Sequence, residues 1–442
     1  MTLNDRLKDV VGAKALVPEA QLSQYTVDGV TPKAVVIPSN VDALRQVVSF
    51  AAREGFSITP WGGGTQMSLG NLPSKVDIVL KTTAINRVAE HSESDFTMAV
   101  GAGASLSWVQ NYLASKGQHV PLDAPLPGQA TVGGVLAAAT TTPRRLLYNL
   151  PRDWVLGMKV VQPDGSLTSF GGRVVKNVSG YDVGKLYIGS FGTLGVIVEA
   201  TLRLLPATRS EVSFIATYPS IQDALKAARS VLGQRFIPQC TEVVSGAAMK
   251  VLPSDLGKNG GAALLVSAAG WPSATKRIAA EMGKLLGDAE SLETLSAEAG
   301  ARMWRSLTDL GWQKDGAPLA SLRASVLPSR VESLLEALGA LLVDGLETGT
   351  VIGPGYGGIR FLVWAGQSGT DDVDRVRGLV ASLREQVARL EGRVIVESCS
   401  PKIKAGLDVW GKVPGGLEVM RRLKREIDPK GIFNPGRFVE GI

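Results

Sequence analysis

The sequence has 442 residues, of which 45% are hydrophobic and 20% charged, and its formal net charge is +6. This length allows two or three domains with a sizeable core, and the composition is that of an ordinary soluble globular protein. The densest basic run, Arg421-Arg422-Leu423-Lys424-Arg425, alternates with apolar residues at helical spacing. A solvated helix face is therefore favoured over a nucleic-acid-binding patch.

Cysteine and histidine are both scarce. Cys240 and Cys399 are not part of a CxxC motif, which argues against an iron–sulfur site and against a disulfide framework. His91 and His119 cannot build a histidine-rich metal site, so no metal site is predicted. There is no signal-peptide pattern, and no apolar run reaches the roughly 18 residues needed to cross a bilayer. We expect a cytoplasmic protein that reaches the inner face of a membrane only through partners.

A repeated pattern, P-S-x-x-[D/E], predicts strand–helix units along the chain. In each copy the serine hydroxyl would cap the following helix, and the carboxylate would reach back to the start of that helix. The class is therefore α/β or α+β. The copies begin at Pro38, Pro219 and Pro328, behind short strands predicted over 35–37, 213–217 and 321–326.

Between residues 76 and 206 the pattern changes to strands separated by glycine-rich turns, and Pro206-Ala207-Thr208 offers a boundary. Residues 208–395 contain two of the strand–helix units and the loop Gly353-Pro354-Gly355-Tyr356-Gly357-Gly358. The tail contains a helix predicted over 416–427. The strands predicted in the first half lie over 76–80, 97–100, 155–162 and 195–205.

Three glycine-rich segments point to one dinucleotide site. The first, Pro60-Trp61-Gly62-Gly63-Gly64-Thr65-Gln66, would let backbone N–H groups converge on a pyrophosphate. The second, Thr131-Val132-Gly133-Gly134, opens a predicted helix whose N–H groups and dipole favour anions. The third runs from Asn177-Val178-Ser179-Gly180-Tyr181-Asp182 to Gly189-Ser190-Phe191-Gly192-Thr193-Leu194-Gly195, where a flat ring could approach the backbone. The first segment has neither Walker A nor G-x-G-x-x-G spacing.

These motifs resemble those of the vanillyl-alcohol oxidase / p-cresol methylhydroxylase flavoproteins. The resemblance implies an α+β fold with a two-subdomain PCMH-type FAD-binding domain over 1–207, split near residue 85. It also implies an α+β cap domain with an antiparallel sheet and flanking helices over 208–400, and a tail over 401–442 that returns to the FAD domain. The family pattern is R-G-G-G-T, P-P-D, A-T-x-G-G, G-Y-D-L-x-K-L, G-S-E-G-T-L-G and N-P-G-K, which corresponds here to 61–65, 121–123, 130–134, 180–186, 189–195 and 434–437.

Carried over position by position, the resemblance places the FAD pyrophosphate at the glycine triplet. It places Arg437 near the flavin, where the family has a lysine. No flavin-linking histidine stands near the triplet, so FAD is expected to be noncovalent. The implied cofactor-binding residues are Pro60, Trp61, Gly62, Gly63, Gly64, Thr65, Gln66, Ser68, Pro121, Leu122, Asp123, Thr131, Gly133, Gly134, Ala137, Thr140, Gly192, Gly195, Val196, Ile197 and Arg437.

The catalytic residues stay open, because the chain departs from its relatives. Phe191 replaces the acidic residue of G-S-E-G, and the cap lacks the histidines with which hydroxy acid dehydrogenases of this family grip a metal. Arginines could still bind a carboxylate bidentately, although a surface or interdomain salt bridge is the favoured role for each of them. The candidates are Arg323, Arg360 and Arg305, together with Tyr148, Tyr181 and Tyr356 as possible flavin-side hydroxyls; Arg323, Arg360 and Tyr356 are the weak catalytic candidates.

The segment Leu407-Asp408-Val409-Trp410-Gly411 and the helix that follows resemble, more narrowly, the smaller flavin subunit of bacterial glycolate oxidase. This implies a larger FAD-binding catalytic subunit, an iron–sulfur subunit and a small hydroxy acid substrate. Two alternatives stay open. The chain could be a noncatalytic FAD-binding assembly subunit of that complex, or a stand-alone FAD-dependent oxidoreductase of another alcohol or hydroxy acid.

Overall fold

The computed structural model describes residues 2–172, 181–252, 261–313, 315–338, 346–366, 372–413 and 415–442. The chain divides into two compact units. Unit 1 comprises Met1–Thr140, Leu150–Ala207 and Val413–Ile442, and unit 2 comprises Thr141–Asn149 and Thr208–Lys412. Residues 401–412 therefore belong to unit 2 and not to the tail segment of unit 1. Residues 141–149 also belong to unit 2, although the segments before and after them belong to unit 1.

Helices and strands alternate through both units. The α-helices of the described residues are α1 Leu3–Val11, α2 Val41–Glu54, α3 Leu106–Ala114, α4 Val132–Ala138, α5 Arg145–Tyr148, α6 Ile221–Leu232, α7 Pro272–Leu285, α8 Ala297–Asp309, α9 Val331–Leu338, α10 Asp372–Arg389, α11 Pro401–Lys404 and α12 Leu417–Ile427. The strands are β1 Ala34–Val36, β2 Ile58–Trp61, β3 Ile78–Lys81, β4 Val88–Ser92, β5 Thr97–Gly101, β6 Gln118–His119, β7 Val155–Val161, β8 Leu167–Gly171, β9 Val196–Arg203, β10 Leu205–Pro206, β11 Ser210–Tyr218, β12 Cys240–Gly246, β13 Ala262–Gly270, β14 Ser291–Leu295, β15 Ala320–Ser325, β16 Leu346–Gly353, β17 Gly358–Ala365 and β18 Arg393–Cys399.

Unit 1 is built on two main sheets, each with its own apolar core. A parallel sheet in the order β1-β3-β2 carries α2, whose apolar face contributes Leu44, Val47 and Val48 to the core. An antiparallel sheet in the order β4-β5-β9-β7-β8 packs with α3 and α4 around a second core. Strand β1 and the first three residues of β3 are apolar and buried, as expected for parallel strands whose two faces are both covered.

Unit 2 is built on one antiparallel sheet with the strand order β14-β11-β13-β12-β16-β17-β15-β18 within the described residues. Helices α6, α7, α8 and α10 pack on it. Strands β17, β15 and β18 end this order, and β16 separates them from β12 in the middle of the sheet. These four strands, β12, β15, β17 and β18, carry polar residues discussed below. The α+β class and the antiparallel sheet with flanking helices are confirmed.

The capping prediction is right for one of the three motifs. Ser220 caps α6 by accepting from the N–H of Asp223, as expected. For α2 the cap is Asn40 rather than Ser39, because the helix starts one residue later and the Asn40 side chain accepts from the N–H of Ala43. At the third motif a 3-10 turn over Pro328–Arg330 precedes α9, so Ser329 lies inside that turn.

Candidate functional site

A groove in unit 1 brings the glycine-rich segments together. The empty space within it, including the solvent at its open mouth, is about 850 Å³. The loop after β2, the start of α4, the loop before β9 and the C-terminal segment form its walls. Of the residues implied by the family pattern, those that line it are Pro60, Trp61, Gly62, Gly63, Gly64, Thr65, Gln66, Thr131, Gly133, Gly134, Ala137, Gly192, Gly195, Val196, Ile197 and Arg437.

The glycine triplet owes its composition to the protein's own backbone. A Cβ on Gly63 would lie 1.8 Å from the carbonyl oxygen of Gln129, and one on Gly62 would lie 2.1 Å from Oγ1 of Thr131. A side chain at Gly63 would therefore meet the backbone of Gln129 before it could reach the groove. That position must be glycine because two loops meet there, and their meeting forms the groove.

The start of α4 forms part of the groove wall. Thr131 caps the helix by accepting from the N–H of Gly134, with a distance of 3.3 Å. A Cβ on Gly133 would overlap Ala102, whereas one on Gly134 would have only Thr131 Oγ1, 3.1 Å away, among the described atoms within 4 Å. Gly134 therefore faces the groove, and Gly133 lets α4 approach its neighbour closely.

Arg437 places a buried positive charge on the groove wall. Its side chain is 1% exposed, and its Nη2 donates to the carbonyl oxygens of Met67 and Leu69 at 2.7 Å each. The guanidinium lies over the ring of Phe191, 5.0 Å from its centroid. Burial lowers the pKa of Arg437 to about 10, against a partial opposing effect of Asp28, so the group stays charged at neutral pH. A buried cation beside neutral carbonyls suits a group with anionic character.

Lys424 fixes the C-terminal segment against the groove. Its ammonium donates to the carbonyl oxygens of Thr193 and Phe433, at 2.7 and 3.1 Å, and to Asp428, at 2.7 Å. Asp428 in turn accepts from the backbone N–H groups of Ile432 and Phe433. The prediction of a solvated face for this basic run is thus wrong at Lys424, which turns inward, and burial lowers its pKa.

The remaining residues implied by the family pattern lie beside the groove rather than on its lining. Thr140 donates to Oε1 of Gln66 at 2.7 Å, Asp123 accepts from the N–H of Ala124, and Leu122 is buried in the second core of unit 1. Pro121 is buried and Ser68 is half-buried. The part of the third motif from Asn177 to Gly180 lies outside the described residues. Lining residues not named from the sequence are Met67, Thr82, Ala124, Ala130, Val135, Ala138, Ser190, Phe191 and Asn434.

A second cavity, in unit 2, contains all three weak catalytic candidates. Arg323, Arg360 and Tyr356 line it together with Thr141 and Thr142. The first two are directly opposite each other on β15 and β17. A β-bulge on β18 leaves Glu397 without a partner in the strand register, between the pairs Ser321–Ser398 and Leu322–Val396. Bulges commonly re-aim a side chain in this way.

Glu397 bridges the two arginines. Nε of Arg323 donates to Oε1 of Glu397 at 2.7 Å, and Nε of Arg360 lies 3.4 Å from Oε2, an ion pair without hydrogen-bond geometry. Arg145, which was not singled out from the sequence, adds a third guanidinium, 5.6 Å from the centroid of the Tyr356 ring. Its pKa is lowered by burial and by the nearby Arg323. The cavity therefore has an excess of positive charge.

Tyr356 and Glu242 form a hydrogen-bonded pair behind this cavity. The phenol donates to Oε1 of Glu242 at 2.8 Å. Glu242 is fully buried on β12, and burial raises its pKa to about 8, although Tyr356 and Arg360 act in the opposite direction. Burial and the neighbouring carboxyl raise the pKa of Tyr356 well above its usual value. Glu242 had no signal in the sequence, because its partner lies more than 100 positions away.

The other sequence candidates do not line this cavity. The exposed Arg305 of α8 forms an ion pair with the buried Asp309 at 3.8 Å. Tyr148 is buried and accepts from the side chain of Gln239, and Tyr181 is 98% exposed. Over the ranges that the structure describes, no three His, Cys, Asp or Glu residues cluster as a metal site would require. No helix in those ranges has both the length and the apolar character to cross a bilayer.

Comparisons with known proteins identify the family. A model of the FAD binding domain matches residues 32–171, and a model of the C-terminal domain of FAD linked oxidases matches residues 207–438. Glycolate oxidase subunit GlcD of Bacillus subtilis is 26% identical, over 92% of this chain and 89% of the relative. D-lactate dehydrogenase of Archaeoglobus fulgidus is 28% identical, over 92% of this chain and 91% of the relative.

Solved structures show the same fold. p-Cresol methylhydroxylase aligns with a TM-score of 0.75 at 15% identity, over 98% of this chain and 95% of that one. Alkyldihydroxyacetonephosphate synthase aligns with a TM-score of 0.68 at 17% identity, over 92% and 76%. Because the matched C-terminal model alone spans more than half of the sequence, the chain belongs to the FAD-linked oxidases and is an FAD-dependent oxidoreductase.

Proposed function

We propose that this chain oxidises a small 2-hydroxy acid to the 2-oxo acid, as the FAD-binding subunit of a glycolate oxidase-like complex. The observation that carries the proposal is the arginine cavity of unit 2. Arg323 and Arg360 share a single carboxylate, Glu397. Arg145 adds a third guanidinium over the Tyr356 ring and near Arg323, while burial favours the neutral form of Glu242. Planar guanidinium groups bind carboxylates in two-point contacts, which suits a substrate with a carboxylate beside its reacting carbon.

The groove of unit 1 suits FAD in charge and shape. Gly134 would leave room for the pyrophosphate, the backbone N–H groups of the glycine triplet would donate to it, and Arg437 would lie near the flavin ring. Bound FAD would supply the two-electron acceptor for the oxidation. We infer noncovalent binding, because among the described lining residues there is no histidine, cysteine or tyrosine to form a bond with the flavin.

The relatives support this substrate class. Their names specify a glycolate oxidase subunit and a D-lactate dehydrogenase, and a 37% identical match over 186 residues, covering 42% of this chain, is the D-2-hydroxyglutarate dehydrogenase of Xanthomonas citri. In the proposed complex a larger FAD-binding subunit and an iron–sulfur subunit would take the electrons onward. The proposed location is the cytoplasm, or the inner face of a membrane through those partners.

A noncatalytic assembly role is the second candidate. It is favoured by the absence of histidine from the cap sequence, because His91 and His119 both precede it. Anaerobic addition of glycolate or D-lactate to the FAD-loaded chain separates the two. Bleaching of the flavin by the chain alone supports oxidation here, whereas bleaching that needs the larger subunit supports the assembly role.

A further inference from the structure

The cavity of unit 2 lacks an imidazole, yet its wall holds a buried phenol–carboxyl pair. We propose that Tyr356 and Glu242 form a two-step proton relay, in which Tyr356 takes the hydroxyl proton of the substrate and passes its own proton to Glu242. This inference rests on the proposed function, that a 2-hydroxy acid is oxidised in this chain. It deepens that function by naming the groups that accept the proton.

The fold holds Tyr356 in one place. Its ring folds back over its own hairpin, where a Cβ on Gly353 would lie 2.1 Å from the ring and one on Gly358 would lie 2.4 Å from it. Gly357 has a φ of +71°, and a Cβ there would lie 1.9 Å from the carbonyl oxygen of Val326. The glycines of this loop therefore make room for the tyrosine ring. With Arg145 on the ring, the phenol oxygen has one position, at the cavity wall.

Glu242 is placed to receive a proton from that oxygen. On β12, Val243 pairs with Ile352 of β16, so the adjacent Glu242 lies beside the start of the Tyr356 hairpin. Its Oε1 accepts a hydrogen bond from the phenol O–H of Tyr356, and the 2.8 Å between the two oxygens is within the range of efficient proton transfer. Its Oε2 has no hydrogen-bond partner within the described part of the chain, which leaves that oxygen able to carry a proton.

The proton and electron balance of the step is complete. The O–H bond of the substrate breaks and a new O–H bond forms at Tyr356, while the O–H bond of Tyr356 breaks and one forms at Glu242. The substrate carbon loses its hydrogen with two electrons, for which FAD is the oxidant. Glu242 must be ionised at the start, and its charge is then neutralised in a dry site.

The ionisable groups around Tyr356 and Glu242 set the pH range in which the relay can work. Arg360 lies near Glu242, and Glu242, Arg360, Arg145 and Cys240 lie near Tyr356. Because burial raises the pKa of Glu242 to about 8, the ionised form increases as the pH rises through that value. The rate of flavin reduction should therefore rise with pH and level off above about pH 8.

The test uses the FAD-loaded full chain, reduced anaerobically with D-lactate or glycolate across the pH range. Glu242→Gln keeps the acceptor for the phenol and Tyr356→Phe keeps the ring, so both should fold. We expect both to reduce flavin about 100-fold more slowly, and Glu242→Gln to lose the rise with pH. Glu347→Gln, on an exposed pair with Lys250, and Tyr218→Phe, on β11, are the matched controls.

An infrared pH titration gives a readout independent of turnover. Wild-type protein should show a carboxyl group that titrates near pH 8, and Glu242→Gln should lack it. If wild-type protein is reduced but Glu242→Gln matches its rate and pH profile, the relay is wrong and the proposed function stands. If neither acid reduces the flavin of the wild-type chain, the proposed oxidation in this chain fails and the relay fails with it.

Discussion

Arg323 and Arg360 occupy directly opposite positions on neighbouring antiparallel strands, and the carboxylate of Glu397 lies between their guanidinium groups. Like charges in such a cross-strand pair repel each other, so the sheet tolerates this pair only because a third strand supplies the carboxylate. Arg360 and Glu397 are both almost fully buried. An arrangement this costly for folding is typical of a binding site rather than of a structural core.

Removal of the bridging charge should destabilise the protein. Glu397→Gln leaves two partly or fully buried guanidinium groups without their counter-charge, and we expect the free energy of unfolding to fall by about 3 kcal/mol. Urea denaturation followed by circular dichroism measures this. The exposed Glu347→Gln should change it by less than about 0.5 kcal/mol. An unchanged midpoint for Glu397→Gln would show that the bridge carries little of the fold's stability.

Two glycine substitutions should separate loop packing from cofactor binding. Gly134→Val directs its side chain into the groove, so the protein should fold normally but be purified without flavin. Gly63→Ala must displace the loop at Gln129, so both flavin content and stability should fall. The control is Gly283→Val, an exposed helical position with open space around it. Normal flavin content in Gly134→Val would refute its placement in the FAD site.

Arg437 should affect FAD affinity through its charge. Arg437→Met removes a buried cation and its charged hydrogen bonds, which are worth about 1.5–3 kcal/mol, so the Kd for FAD should rise by roughly 10- to 100-fold. Arg437→Lys keeps the charge and should lose less affinity for FAD. Fluorescence titration of the apoprotein with FAD measures both. Equal affinities for the wild type and the methionine variant would exclude a role of this charge in binding.

Glu242 should also make stability depend on pH. Its pKa is about 8 in the fold against 4.5 as its ordinary value, so the native state binds the extra proton between those values. The stability gained from this proton is therefore fully present below pH 4.5 and is lost as the pH rises towards 8. The loss approaches about 1.4 kcal/mol per pH unit. Urea denaturation measures the free energy of unfolding of wild type and of Glu242→Gln. The stability of wild type relative to the variant should fall as the pH rises from 4.5 to 8. A constant difference over that range would mean that the raised pKa is absent.

The sequence motifs predicted the fold class and the three glycine-rich loops, because these depend on local backbone geometry. Other features depend on residues far apart in the chain. The reason for glycine at position 63 is the carbonyl of Gln129, and the inward turn of Lys424 is towards Thr193. The pairing of Glu242 with Tyr356 likewise required the sheet register, which no local pattern encodes.

The most direct test of the central claim is the concentration of D-lactate or glycolate that half-saturates anaerobic flavin reduction, compared between wild type and Arg360→Gln. Arg302→Gln, an exposed arginine of α8 paired with Glu298, is the matched control. Loss of a charged contact to the substrate carboxylate should raise this concentration by roughly 10- to 100-fold in Arg360→Gln and leave it unchanged in Arg302→Gln. Equal values for wild type and Arg360→Gln would contradict the arginine cavity as the hydroxy acid site.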